Sequence, residues 1–177
     1  DENVTATVDS LRPKGSEEAD EELYEFSSAA RFCKDDWEVE QLRDACLKSK
    51  VGFESMIAEI PEAVRKGRGE RWMEGTFGRV ARHLGNEVGY GSICAAGDHA
   101  NTLHWVRNDG DLRPGELILI DAGVEVDSLY TADITRTLPI SGTFSPAQRR
   151  VYQAVLEAQD AAAAVAKVGH DHAEIGR

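Results

Sequence analysis

Two aspartates, Asp121 and Asp133, stand twelve residues apart in the stretch LILIDAGVEVDSLYTADITRTLPI. Asp121 closes the apolar run 117–120, which has the β-branched character of a buried strand. Asp133 opens Asp133-Ile134-Thr135-Arg136-Thr137-Leu138, which reads as the next strand. A tight hairpin centred on Asp127 sets the two carboxylates directly opposite each other, with Cβ atoms about 4.5–5.5 Å apart on one face. Like charges opposed in this way repel, and a divalent cation between them removes the conflict. Carboxylates suit hard, oxygen-preferring ions such as Mn²⁺ or Mg²⁺. The turn centre is the sensitive point, because a one-residue slip is expected to send one carboxylate to the other face. The bland reading is a pair of aspartates that merely flank a turn; the apolar context favours the metal.

In this register Thr135 and Thr137 share the aspartate face and can support the ligands, while Arg136 points the other way, towards an ion pair within the fold. His104 lies between Leu103 and Trp105, where strand alternation could turn it into the same pocket or leave it as a packing residue. His99 reads as a loop residue. His170-Asp171-His172 follows a helix stop near the chain end and reads as an exposed turn rather than a metal cluster.

Helices must frame these strands. Asp35 with Glu38 forms a capping-box start. Leu42, Cys46, Phe53, Ile57 and Ile60 then recur at roughly helical spacing, predicting a long amphipathic helix that ends before Pro61. A second helix is predicted over 70–84, with Trp72, Thr76, Val80 and Leu84 on one face and Gly85 as its C-cap. Trp37 and Trp72 read as core anchors. Residues 89–96 read as a strand, 99–105 as a loop entering a short strand, and Asn108-Asp109-Gly110 as a turn. Ser145-Pro146-Ala147-Gln148 starts a helix through Val168, stopped by Gly169. The order helix, helix, strands, helix predicts an α+β fold with helices covering a mostly antiparallel sheet. Residues 1–29, with the acidic run 17–22, read as a solvated linker.

The 177 residues suffice for one domain with a real core. A net charge of −12 argues against nucleic acid as the main partner. No apolar run reaches the length of a membrane helix, and no signal-peptide pattern opens the chain. Cys33, Cys46 and Cys94 are odd in number and unclustered, which predicts structural, reduced thiols and a cytoplasmic setting. The chain begins with Asp1 rather than Met, so it is expected to have been trimmed, processed or cut from something longer.

Asp121-Ala122-Gly123, followed by Asp133-Ile134-Thr135-Arg136-Thr137 and Pro139, resembles the first metal-ligand block of aminopeptidase P and prolidase. Gly89-Tyr90-Gly91-Ser92-Ile93 and Asn101-Thr102-Leu103-His104-Trp105 resemble that family's substrate-side strand and loop. Cys33-Lys34-Asp35-Asp36-Trp37-Glu38 resembles the helix start that opens its catalytic domain, and the actinobacterial type of Xaa-Pro aminopeptidase is the most similar. The resemblance implies the pita-bread fold and two divalent ions, expected to be Mn²⁺, with Asp121 on one ion and Asp133 bridging both. It implies hydrolysis of the bond between an N-terminal residue and a following proline, through a hydroxide bridging the metals. His104 would act as the catalytic residue on the substrate or on a proton in flight. A proline-containing peptide is the expected partner, and a homo-oligomer the expected assembly. The family site uses five protein ligands, of which this sequence supplies two. His170, His172 and Glu174 come too early to supply the rest. The resemblance thus implies that residues 30–177 are the N-terminal portion of a metallopeptidase catalytic domain and 1–29 a linker or the trailing edge of a missing N-terminal domain, or that the chain is a decayed relative acting as a catalytically inactive pita-bread binding module.

Overall fold

The computed structural model describes residues 2–12, 15–171, 173 and 175. Residues 1–41 and 42–177 form two compact units. In the first, helices α1 (Glu2–Leu11) and α2 (Glu17–Phe32) occupy the segment expected as a linker, and α2 buries none of its residues. Glu17, Glu18 and Asp20 fill the first turn of α2 and Arg31 its last, matching the helix dipole. The capping box forms as expected: the Asp35 N–H donates to Glu38 Oε2 at 2.7 Å, and the Glu38 N–H donates to Asp35 Oδ1 at 2.8 Å. Trp37, expected in the core, is 57% exposed.

In the second unit, the remainder of α3 (Asp36–Lys66) and α4 (Gly69–Leu84) cover one face of a three-stranded antiparallel sheet. The sheet runs in the order β2 (Ile93–Ala96), β3 (Leu117–Ala122), β5 (Ile134–Pro139). A two-stranded ribbon pairs β1 (Glu87–Val88) with β4 (Val124–Glu125), and α5 (Pro146–Val165) follows the strands. Ile118, Ile120 and Ala122 meet Phe53, Met56, Ile60, Met73 and Phe77 in one apolar core. Burying side chains of this size stabilises by about 1.5–3 kcal/mol each. The Ser49 hydroxyl ties helix to sheet, accepting from the Val124 N–H at 2.9 Å and donating to the Ala45 carbonyl at 2.7 Å.

Helix α3 continues through Pro61 rather than stopping before it. Pro61 is exposed and near the helix end, while Ile60 and Ala63 are buried and hold the last turns on the core. The buried stripe runs through Ala45, Ser49, Gly52, Phe53, Met56, Ile60 and Ala63, so Cys46 and Ile57 lie exposed beside it. In α4 the buried face is Gly69, Glu70, Met73, Thr76, Phe77 and Ala81, rotated from the expected one. Trp72 packs only partly on the core and donates from Nε1 to Glu59 Oε2 at 2.7 Å. Gly85 caps α4, as expected, with its N–H on the Ala81 carbonyl at 2.8 Å.

The sheet register corrects the expected hairpin. Asp121 pairs with Thr135, Ile120 with Arg136 and Leu119 with Thr137. The turn therefore centres on Ser128, one residue beyond Asp127, and the Leu129 N–H closes it on the Val126 carbonyl at 2.8 Å. Moving the centre by a whole residue shifts each pairing by two, which preserves the face of every side chain. The feared loss of one carboxylate to the other side does not follow from this slip. Residues 99–105 form no strand: a 3-10 helix (Gly97–Asn101) is followed by turns and irregular chain. Ser145 and Gln148 complete their capping box, and α5 ends at Val165, short of Gly169. His170 and Asp171 are exposed, as expected of a turn, and His172 and Glu174 lie outside the described residues.

Candidate metal centre

Asp121 sits on the central strand, next to Ile93 of β2 on one side and Thr135 of β5 on the other. Asp133 immediately precedes β5 and lies diagonally from Asp121 on the same face, two residues from Thr135. Gly123, at the hairpin position facing Asp133, has no room for a side chain: a Cβ there would lie 1.6 Å from the Ala132 carbonyl oxygen. The glycine of Asp121-Ala122-Gly123 is thus required by backbone approach.

Both carboxylates converge on one hydroxyl. Tyr90 Oη lies 2.5 Å from Asp121 Oδ1 and 3.0 Å from Asp133 Oδ1, so those two oxygens are no farther apart than the sum of these distances. Burial, then the hydrogen bonds to Asp121 and Asp133, push the Tyr90 phenol well above its ordinary range. Tyr90 has one proton to give and faces two acceptors. Thr135 Oγ1 donates to Asp121 Oδ2, the support expected of it. Thr137 lies on the same side of the sheet but lines a separate groove with Leu117 and Val151. Arg136 faces away as expected, yet it donates to the Thr135 carbonyl at 2.7 Å and has no carboxylate partner among the described residues.

Tyr90, Gly91, Ile93, His104, Val106, Asp121 and Asp133 line one cavity of about 380 Å³. His104 therefore shares the pocket with both aspartates, though not through strand alternation: it is exposed and in the left-handed conformation at φ 55°. No lysine or arginine among the described residues lines this cavity. Two carboxylates that share one hydroxyl proton and lack a cationic side chain form a donor set suited to a hard divalent ion. The residues present fit such an ion.

Two features escape the sequence reading. Tyr90 was legible only as part of a glycine-flanked segment, because its acceptors lie 31 and 43 residues away. Glu70 is fully buried with an intact hydrogen-bond shell. Glu70, His99 and Asp109 bring ligand-type atoms within 4.8 Å of one another. Protein donors already occupy that position, since Glu70 accepts from Ala96, Trp105 and Gly110 and Asp109 pairs with Arg107 at 3.1 Å. His99 is no free loop residue: it faces Glu70 at 2.8 Å and stacks on Trp105 with centroids 4.0 Å apart. Asn108, expected in a turn, is buried, and its side chain bonds the Cys94 N–H and the Ser92 carbonyl at 2.8 Å each.

The chain is similar to several known proteins. Xaa-Pro aminopeptidase 2 of Streptomyces coelicolor is 57% identical over 153 residues, covering 86% of this chain and 32% of that protein. Xaa-Pro aminopeptidase 1 of the same organism is 52% identical over 159 residues, covering 90% and 32%. The chain thus spans about a third of the length of these relatives. Among solved structures, the aminopeptidase PepP of Pseudomonas aeruginosa superposes with a TM-score of 0.67 at 41% identity, over 75% of this chain and 29% of that one. Escherichia coli aminopeptidase P with the inhibitor Pro-Leu gives 0.67 at 34% identity, with the same coverage. The mixed helical and antiparallel architecture is accordingly that of the aminopeptidase P pita-bread fold, of which this chain covers a part. The model of metallopeptidase family M24 matches residues 40–177, and with these identities the chain belongs to that family.

Proposed function

We propose that the protein carrying this chain is a metal-dependent aminopeptidase that removes an N-terminal residue preceding proline. The observation that carries the reading is the convergence of Asp121 and Asp133 on one point of a cavity that His104 also lines. The relatives named Xaa-Pro aminopeptidase, at 57% and 52% identity, support the substrate class. Asp121 and Asp133 would help hold two divalent ions, and their hard oxygen donors suit Mn²⁺. Such ions, when bound, lower the pKa of a shared water and polarise the scissile carbonyl.

The chain's own residues have separate tasks. Thr135 fixes the rotamer of Asp121 through its hydroxyl. Tyr90 orients both carboxylates through its hydroxyl. His104 presents an imidazole nitrogen to the substrate, where it holds a peptide oxygen or relays a proton. Ile93 and Val106 give the cavity an apolar wall suited to a proline ring. Residues 1–29 are the trailing edge of a preceding domain or a linker to it. The three unpaired cysteines support a reducing, cytoplasmic compartment. A binding module without chemistry has no need of two convergent carboxylates, and their retention opposes that alternative.

The test is release of the first residue from a tripeptide with proline second, using the full-length protein loaded with Mn²⁺. Asp133→Ala is expected to abolish it. Absence of release by the loaded wild type would overturn the reading.

A further inference from the structure

Glu70, near the start of α4, is fully buried, and nothing in the proposed chemistry uses its charge. Its Oε1 accepts from the Ala96 N–H at 2.8 Å and faces His99 Nδ1 at 2.8 Å. Its Oε2 accepts from Trp105 Nε1 at 3.0 Å and from the Gly110 N–H at 2.7 Å. The Glu70 N–H in turn donates to the Gly110 carbonyl at 3.1 Å. All these partners belong to one segment, 96–110, and they grip it at its start, its middle and its end. A burial this complete is tolerable for a carboxylate because two backbone N–H groups and the Trp105 indole donate to it, with the His99 ring facing it as well.

His104 lies within the gripped segment, next to Trp105. Residues 102–110 belong to no helix or strand, so no backbone ladder holds His104 in place. Its left-handed backbone, at φ 55°, is one that surrounding structure has to impose on a residue other than glycine. The neighbouring indole is held from both sides, by the Glu70 carboxylate at its Nε1 and by the His99 ring stacked at 4.0 Å.

We propose that Glu70 is the positioning residue for His104: its carboxylate pins the 96–110 segment so that the imidazole stands in the cavity of Asp121 and Asp133. The inference deepens the aminopeptidase reading and rests on it for the task given to His104. The shell of N–H donors suits a carboxylate and not its amide. A glutamine would turn an NH₂ group against N–H donors, and an aspartate is one methylene too short to span them.

The test compares Glu70→Gln, His104→Ala and the double variant in the full-length, Mn²⁺-loaded protein, together with deuterium exchange of residues 96–110. Glu70→Gln is expected to lower kcat about 10- to 100-fold, the scale of a displaced catalytic group. In the His104→Ala background the same change should add less than about twofold, because its target is already gone. The Ala96 and Gly110 amides should exchange faster, with those of β3 unchanged. Effects of the two substitutions that multiply would overturn the proposal, and so would unchanged exchange across 96–110. A wild type that cleaves no peptide would sink the aminopeptidase reading, while the exchange data would still report on the Glu70 clamp. If Glu70→Gln fails to fold, Trp105→Phe removes one donor of the clamp and keeps a stacking ring. It should show the same dependence on His104, and independence from it would overturn the proposal.

Discussion

Asp121 and Asp133 lie diagonally across the β3–β5 hairpin, not opposite each other, and both reach the hydroxyl of Tyr90. The position directly opposite Asp121 belongs to Thr135, which spends its proton on the Asp121 carboxylate. Thr135→Val, which keeps the shape and removes the hydroxyl, is expected to weaken Mn²⁺ binding about 10- to 100-fold. Titration calorimetry on the full-length protein reads this directly, and unchanged affinity would remove Thr135 from the site.

Among the described residues Tyr90 is the only donor that the two aspartates share. In the metal-free protein Tyr90→Phe leaves two carboxylates facing each other, at an expected cost of about 1 kcal/mol. An added divalent ion replaces the lost donor. The rise in Tm on adding Mn²⁺ should therefore be larger in the variant than in wild type, and an equal or smaller rise would contradict this arrangement.

The three thiols should differ sharply. Cys33 and Cys46 are exposed and Cys94 is buried. Burial first, then the Glu74 and Glu70 carboxylates, raise the Cys94 thiol well above its ordinary value of 9.0. Iodoacetamide at pH 8 is expected to label Cys33 and Cys46 and spare Cys94, as read by peptide mass. The folded-state pKa is raised, so the neutral thiol's contribution to stability is fully present below about pH 9 and declines as pH rises beyond it. Cys94→Ala should flatten that part of the stability curve.

Two glycines should respond with opposite signs. Gly123→Ala drives a methyl into the Ala132 carbonyl and is expected to cost about 3 kcal/mol or more. Gly75 lies within α4 with open space around its Cβ position. Gly75→Ala is expected to stabilise by about 0.4–1 kcal/mol. Urea denaturation of both variants checks the pair, and a destabilised Gly75→Ala would mean that this face of α4 is covered.

Features written over a few residues were legible in the chain. Both capping boxes, at Asp35 and Ser145, close over three residues and form as their sequences imply. Strand alternation put Asp121, Asp133 and Thr135 on one face, and a whole-residue error in the turn centre left that parity intact. The helix faces were less legible. Cys46 and Ala45 are neighbours, and periodicity by itself could not say which of them meets the core.

The sequence by itself determined the family block, the strands that carry Asp121 and follow Asp133, and the common face of the two aspartates, because side-chain direction in a strand follows a period of two. Tertiary structure decided the rest. It brought Tyr90 to both carboxylates, made Glu70 the anchor of a segment 26 to 40 residues downstream, and set His104 in a left-handed turn rather than a strand. These depend on donors and acceptors that meet only when α4 and the sheet pack together. A buried charge such as Glu70 leaves no periodic trace, since its solvation comes from distant backbone and not from its neighbours in the chain.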